Sequence, residues 1–334
     1  MARIELYVFD KELNLLGMID SFTSLLWTRR YNTCGEFELN CDLTKDNLAL
    51  LQEENIIYKK DTTECGVISY IDYKLDTEGK EVIVCKGKFA TTYLSRRIAL
   101  GTSVITGTSE NTIRTLVTNN IVSPTNSDRI KPNLSLGADN SYTDAITYTL
   151  DNKELLEDIT NLATLGELGL RTDFSPINKT LTFNIYKGLD RSINQSVNNR
   201  AIFSKEFENI LEQEYTDSLD NYRNVAYGPS TSIGDIAGTE RYEVYVDKDL
   251  EVELSKRLKV VTFSSKVNLK SNIKYKTDFN LGDIVTCVSK KWGITINPRI
   301  TEIEEIYEQD GFSINATFGN DIPTLITKIK QLIK

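Results

Sequence analysis

Histidine is the side chain that titrates nearest neutral pH, and this chain of 334 residues has none. Its absence removes Ser-His-Asp and Cys-His nucleophilic mechanisms, histidine-bearing metal sites and the usual general base. Carboxylates and thiols remain. The densest carboxylate cluster is Glu302, Glu304, Glu305 and Glu308, interleaved with Ile300, Ile303 and Ile306. Paired carboxylates can hydrolyse glycosides, but a cluster opposite an isoleucine stripe reads as a solvated face. Asp247, Asp249, Glu251 and Glu253 alternate as in a calcium loop, yet Val252 stands where such a loop turns on glycine. The wet face of a strand or turn is expected there. Cys34, Cys41, Cys65, Cys85 and Cys287 are odd in number and without C-x-x-C spacing, which points to reduced, buried thiols and not to zinc. Neither phosphate-cradling glycine motif is present. No catalytic residue, cofactor or metal is therefore assigned, and no enzymatic activity is expected.

The chain carries 48 acidic against 39 basic residues, a net charge of −9. That balance argues against a nucleic-acid binder, which needs clustered cations. The basic pairs Arg29-Arg30, Arg96-Arg97 and Lys290-Lys291 are short and flanked by apolar or acidic residues. They are expected to be solvated or ion-paired surface residues. No apolar run approaches the roughly 18 residues that span a bilayer. Charges within the first ten residues argue against a signal peptide and for synthesis in a cytoplasm.

These residues must be positioned by elements that the apolar pattern reveals. In the first hundred residues, hairpins are expected from Ile4–Phe9 with Leu15–Ile19, and from Ser24–Tyr31 with Glu36–Cys41, where Gly35 offers positive φ. A third is expected from Cys65–Leu75 with Glu81–Cys85. A short helix after Thr44 would turn Leu48, Ala49 and Leu51 inward. In the middle, Ile113, Leu116, Val117 and Ile121 recur at helical spacing. Asp151-x-x-Glu154 resembles a capping arrangement for a second helix bearing Leu155, Ile159, Leu162 and Ala163, ended by Gly166 or Gly169. From about residue 200 strand signals return, through Phe312–Phe318, with a turn at Gln309-Asp310-Gly311. A final amphipathic helix starts at Pro323.

The expected fold is a β-rich α+β chain, with two barrel-like β domains flanking an α/β middle region. The expected boundaries are 1–100, 101–200, 201–322 and a C-terminal helix at 323–334.

The N-terminal block has a recognisable order: Tyr7-Val8-Phe9-Asp10, Gly17-Met18-Ile19-Asp20, Ser24 through Tyr31 and Gly35-Glu36-Phe37-Glu38-Leu39. Gly66-Val67-Ile68, Gly87 and Leu94-Ser95-Arg96-Arg97-Ile98 follow. Near the end stand Asp278-Phe279-x-Leu281-Gly282-Asp283-x-Val285, Arg299-Ile300-Thr301-Glu302-Ile303 and Thr317-Phe318-Gly319. Together they resemble the small baseplate hub, or tail-associated, proteins of long-tailed phages and phage tail-like particles of Gram-positive bacteria.

That resemblance implies a hub-like fold and a structural role: a homotrimeric ring that adapts the six-fold tail tube to a central spike or tip. It implies as partners a second and third copy of the chain, the tail tube protein, the spike or tip protein, other baseplate proteins and the tape-measure protein. DNA would be passing cargo, no membrane would be engaged, and the site of action would be the tail baseplate of the particle. Three copies at −9 each carry −27, and an acid-lined channel would repel phosphate. Interface candidates are Trp27, Arg30, Tyr31, Arg96, Arg97, Leu325, Ile329 and Leu332, each of which could equally be a core or turn residue. Many relatives carry a peptidoglycan-degrading module after this region. Here about fifteen residues follow Gly319, so lytic activity is expected on another chain. The alternative is a baseplate-associated carbohydrate-binding or peptidoglycan-hydrolysing protein.

Overall fold

The computed structural model describes residues 4–19, 21–75, 79–309 and 311–319. Strand exceeds helix, 43% against 17%, as the alternating apolar pattern requires. Contacts divide the chain into two units. One runs from the N-terminus to Lys187 and includes Glu304–Ser313. The other comprises Gly188–Ile303 and continues from Ile314.

In the first unit the expected hairpins form: β1 (Leu6–Phe9) with β2 (Leu15–Ile19), and β3 (Ser24–Arg30) with β4 (Glu36–Asp42). Phe37, Leu39 and Cys41 point into the core while Glu36 and Asp42 are wet, the period-two pattern of a half-buried strand. Gly35 is not left-handed. Its role is close approach, since a Cβ there would lie 2.4 Å from the Thr28 carbonyl oxygen and 2.7 Å from the Phe89 ring. Helix α1 (Lys45–Leu50) starts where Thr44 accepts a hydrogen bond from the Asn47 amide. It buries Asn47 and leaves Ala49 exposed, against expectation.

Strand β5 (Ile56–Lys59) escaped the alternation test because Ile56, Ile57 and Lys59 are all buried. β6 (Cys65–Leu75) and β7 (Glu81–Phe89) complete a run ordered β3-β4-β7-β6-β5-β1-β2. Beyond a 3-10 turn at Ala90–Arg96, β8 (Val104–Thr108) precedes α2 (Ser109–Val117), which continues as a π-turn through Val122. That segment buries Ile113, Leu116, Val117 and Ile121. β9 (Leu134–Leu136) and β10 (Ala145–Thr149) lead to α3 (Leu155–Leu165). Glu154 occupies the α3 cap itself, three residues beyond the expected Asp151, and Gly166 ends the helix. β11 (Gly169–Ser175) and β12 (Thr180–Tyr186) close this unit as a hairpin.

The second unit holds β13 (Ile202–Ser204), β14 (Ile210–Ser218), β15 (Val225–Tyr227), β16 (Ser232–Ile233) and β17 (Glu243–Tyr245). After α4 (Leu250–Ser255) come β18 (Val260–Val267), β19 (Thr286–Ser289) and β20 (Ile294–Ile296). The described chain ends with β21 (Ile300–Glu308) and β22 (Gly311–Gly319). Its core is a cluster of rings, with Phe203 centred 5.1 Å from Phe279 and 4.8 Å from Phe318. The Gly282-Asp283 signature is structural: Gly282 has φ 91°, and buried Asp283 accepts from the Leu189 and Asn280 amides and from Arg191.

The run expected to be a wet strand or turn contributes Glu251 and Glu253 to α4, because buried Val252 anchors that segment as a helix. The C-terminal helix with Leu325, Ile329 and Leu332, and the Asp310 turn residue, lie outside the described residues.

Candidate functional site

The carboxylate cluster is not uniformly wet. Ile303, Glu305 and Tyr307 share the inward face of β21, and Glu305 is fully buried. Its Oε2 lies 2.6 Å from Lys59 Nζ and accepts from the Tyr307 hydroxyl at 2.6 Å. Lys59 also donates to the Tyr307 oxygen at 3.0 Å and reaches Asp61 Oδ1 at 2.8 Å. The ammonium stands 5.2 Å from the Tyr307 ring centre and 6.0 Å from that of Trp27. Sealed from water and held by protein donors, Glu305 acts as a structural counter-ion. Among the basic pairs, Arg29 departs from the expected surface position: it is buried and ion-paired with Glu64. Lys290 and Lys291 are exposed.

All five thiols are free and buried. Burial raises all five thiols, Cys34 and Cys85 up to about 12 and Cys41 up to about 11, which disfavours the reactive thiolate. Among the described residues no group of three or more acids or cysteines could hold a metal ion. No described helix is long and apolar enough to cross a membrane.

The expected interface residues fall into three settings. Trp27 is fully buried, 4.6 Å from the Phe89 ring and 6.0 Å from Phe37, and Tyr31 is buried with its hydroxyl donating to Glu167 O at 2.9 Å. In the single chain both are core residues. Arg30 is partly exposed and pairs with Glu36 at 2.6 Å. Arg96 pairs with Glu54 at 2.6 Å, and Arg97 donates to the Arg129 and Arg96 carbonyls. Arg96 and Arg97 line one cleft with Lys131.

The surface most suited to assembly was not singled out from sequence. Among the described residues β2 is the last strand of its run, hydrogen-bonded to β1 alone. It exposes Leu15 at 58%, Leu16 at 46% and Met18 at 43%. An open edge carrying adjacent apolar side chains is a template for another chain. The doublet Leu15-Leu16, which breaks alternation, was the available signal. A second exposed group, Tyr70, Tyr73 and Leu75, lies on the outer half of β6.

The sequence matches the family described as Siphovirus ReqiPepy6 Gp37-like protein over residues 5–249 and 238–320. No curated protein matches it. Solved structures share the fold, three tail proteins among them. The tail protein from Neisseria meningitidis MC58 is 14% identical, with TM-score 0.60 over 95% of this chain and 97% of that one. The prophage MuSo2 43 kDa tail protein from Shewanella oneidensis is 12% identical, with TM-score 0.59 over 94% and 98%. Prophage tail protein gp18 from Listeria monocytogenes EGD-e is 13% identical, with TM-score 0.57 over 98% of each chain.

Proposed function

The chain belongs to the Siphovirus ReqiPepy6 Gp37-like family, and from that premise we propose that it is the baseplate hub protein of a phage tail or tail-like particle. It is a structural tail component and acts on the particle, in contact with other tail proteins. Three copies close a ring that adapts the six-fold tail tube to the central spike or tip. In this reading barrel-like blocks drawn from 1–100 and 201–322 supply two similar units per copy, with 101–200 between them in sequence and 304–313 packed with the N-terminal unit. Tape-measure protein and DNA pass through, and no chemistry is performed on them.

The observation that carries this reading is the open β2 edge with Leu15, Leu16 and Met18 exposed. Ring closure needs a surface that gains by pairing, and each specific contact should bury on the order of 1,200–2,000 Å². The test is Leu16→Glu in the particle-producing host. The variant chain should keep its thermal unfolding midpoint, because Leu16 is solvated, while assembled tails should be lost. Normal tails assembled from the variant would contradict the reading. A cell-wall zymogram of the purified chain should show no clearing.

A further inference from the structure

The 3-10 turn at Ala90–Arg96, the loop around Lys131 and the β1–β2 turn line a half-open cleft of about 340 Å³ in the first unit. Its charged lining is Lys11, Arg96, Arg97 and Lys131 against Glu12 and Glu54. The cleft is therefore cationic by about two charges, in a chain whose net charge is −9. Glu54 neutralises Arg96, and Glu12 lies 3.8 Å from Lys11. Among the described residues, neither Arg97 nor Lys131 has a carboxylate partner. Arg97 donates only to two carbonyls, at 2.8 and 2.9 Å, which leaves guanidinium donors unused.

Lys131 and Arg96 both pack on the ring of buried Tyr93, with the ammonium at 4.5 Å and the guanidinium at 4.8 Å from its centre. That ring fixes the positions of two like charges. The Tyr93 hydroxyl is itself buried without a hydrogen-bond partner among the described residues. Burial, and repulsion from Arg129 and Arg96, hold Arg97 below the ordinary arginine value. Burial first, then Arg96, does the same for Lys131, against a weaker attraction from Glu54 and Glu12. The cleft thus gathers cations that repel one another and that its own carboxylates compensate only in part.

We propose that this cleft binds one phosphate dianion, free or as a monoester, through Arg97 and Lys131. A guanidinium with donors to spare and an ammonium lining the same cleft, at a net charge near +2, match two anionic oxygens. A duplex backbone would need a stripe of cations along the surface and not one local cluster. The site is independent of the hub reading and stands or falls without it.

The test is isothermal titration of the full chain at constant ionic strength, with inorganic phosphate and glycerol 3-phosphate as probes and acetate as reference. Saturable one-site binding is expected for the phosphate probes. Tighter binding of either probe supports the proposal and identifies the free ion or the ester as the source. Arg97→Gln should weaken binding about tenfold or more, Arg97→Lys should recover part of it, and Lys291→Gln should change nothing. Lys131→Gln provides a second reading should Arg97→Gln fail to fold. Absence of saturable heat, or equal binding by wild type and both glutamine variants, overturns the proposal. So does a duplex oligonucleotide that binds more tightly through the same residues.

Discussion

Lys59 and Glu305 stand 246 residues apart in the chain and 2.6 Å apart in space, both sealed from water. Taking two charges out of solvent costs several kcal/mol per ion, and attraction offsets this only when the remaining donors and acceptors are used. Here the Tyr307 hydroxyl and Asp61 supply those contacts. The cluster fastens Glu304–Ser313, which comes from the far end of the sequence, into the N-terminal unit. Removing one partner, by Lys59→Met or Glu305→Gln, should destabilise the protein by about 3–5 kcal/mol in urea unfolding. The double change Lys59→Met with Glu305→Leu should cost less than the sum of the single changes. Additivity would show that the pair is not coupled.

Glu36 provides a pH signature. A hydrogen bond from Arg30 holds its carboxyl below the ordinary glutamate value of 4.5. A depressed folded-state value means that its contribution is present above pH 4.5 and is lost as pH falls through the lower folded value. Glu36→Gln should therefore lower stability in the neutral range, where the Arg30 contact to the carboxylate is lost, and flatten the fall below pH 4.5, so that the two profiles converge in acid. An unaltered acid limb in chemical unfolding would contradict this.

The thiols should be silent in the native state. Burial raises Cys34, Cys41 and Cys85 far above neutrality, so at pH 8 thiolate is scarce and enclosed. A disulfide-exchange reagent should label none of the five rapidly in native protein and all five in denaturant. Rapid native labelling of any one would show that its strand opens.

Gly87 in β7 marks a close approach. A Cβ there would fall 1.9 Å from the Val67 carbonyl oxygen and 2.8 Å from the Phe37 ring. Gly87→Ala should shift the β6–β7 pairing and cost about 1–3 kcal/mol, with the overpacking penalty set by how far the backbone yields. Gly79→Ala meets no neighbouring atom within 4 Å. There the strain comes only from its φ of 81°, so the penalty should be smaller. Thermal unfolding of both variants checks the order.

The hairpins were legible because alternating apolar residues and turn residues are adjacent in sequence, as in Glu36–Leu39 after Asn32–Gly35. The inner faces of α2 and α3 were legible for the same local reason. What escaped depends on distant partners. β5 looked irregular because its fourth residue, Lys59, is buried by a carboxylate that only the fold delivers. Glu305 looked solvated because its neighbours Glu304 and Glu308 are not enclosed as it is. Gly35 is small for the sake of Phe89, which no turn rule registers. Arg96-Arg97 was visible as a basic pair, but the cleft it lines needs Glu54 and Lys131 from other segments. Asp283 was noticed as part of a signature, and its reason, the Leu189 and Asn280 amides and Arg191, is three-dimensional.

Imaging of intact particles tests the central claim most directly. Three copies of this chain should form a closed ring between the end of the tail tube and the tip, with β2 covered by a neighbouring chain. Density for the chain elsewhere in the particle, or a ring with β2 still facing solvent, would contradict the account.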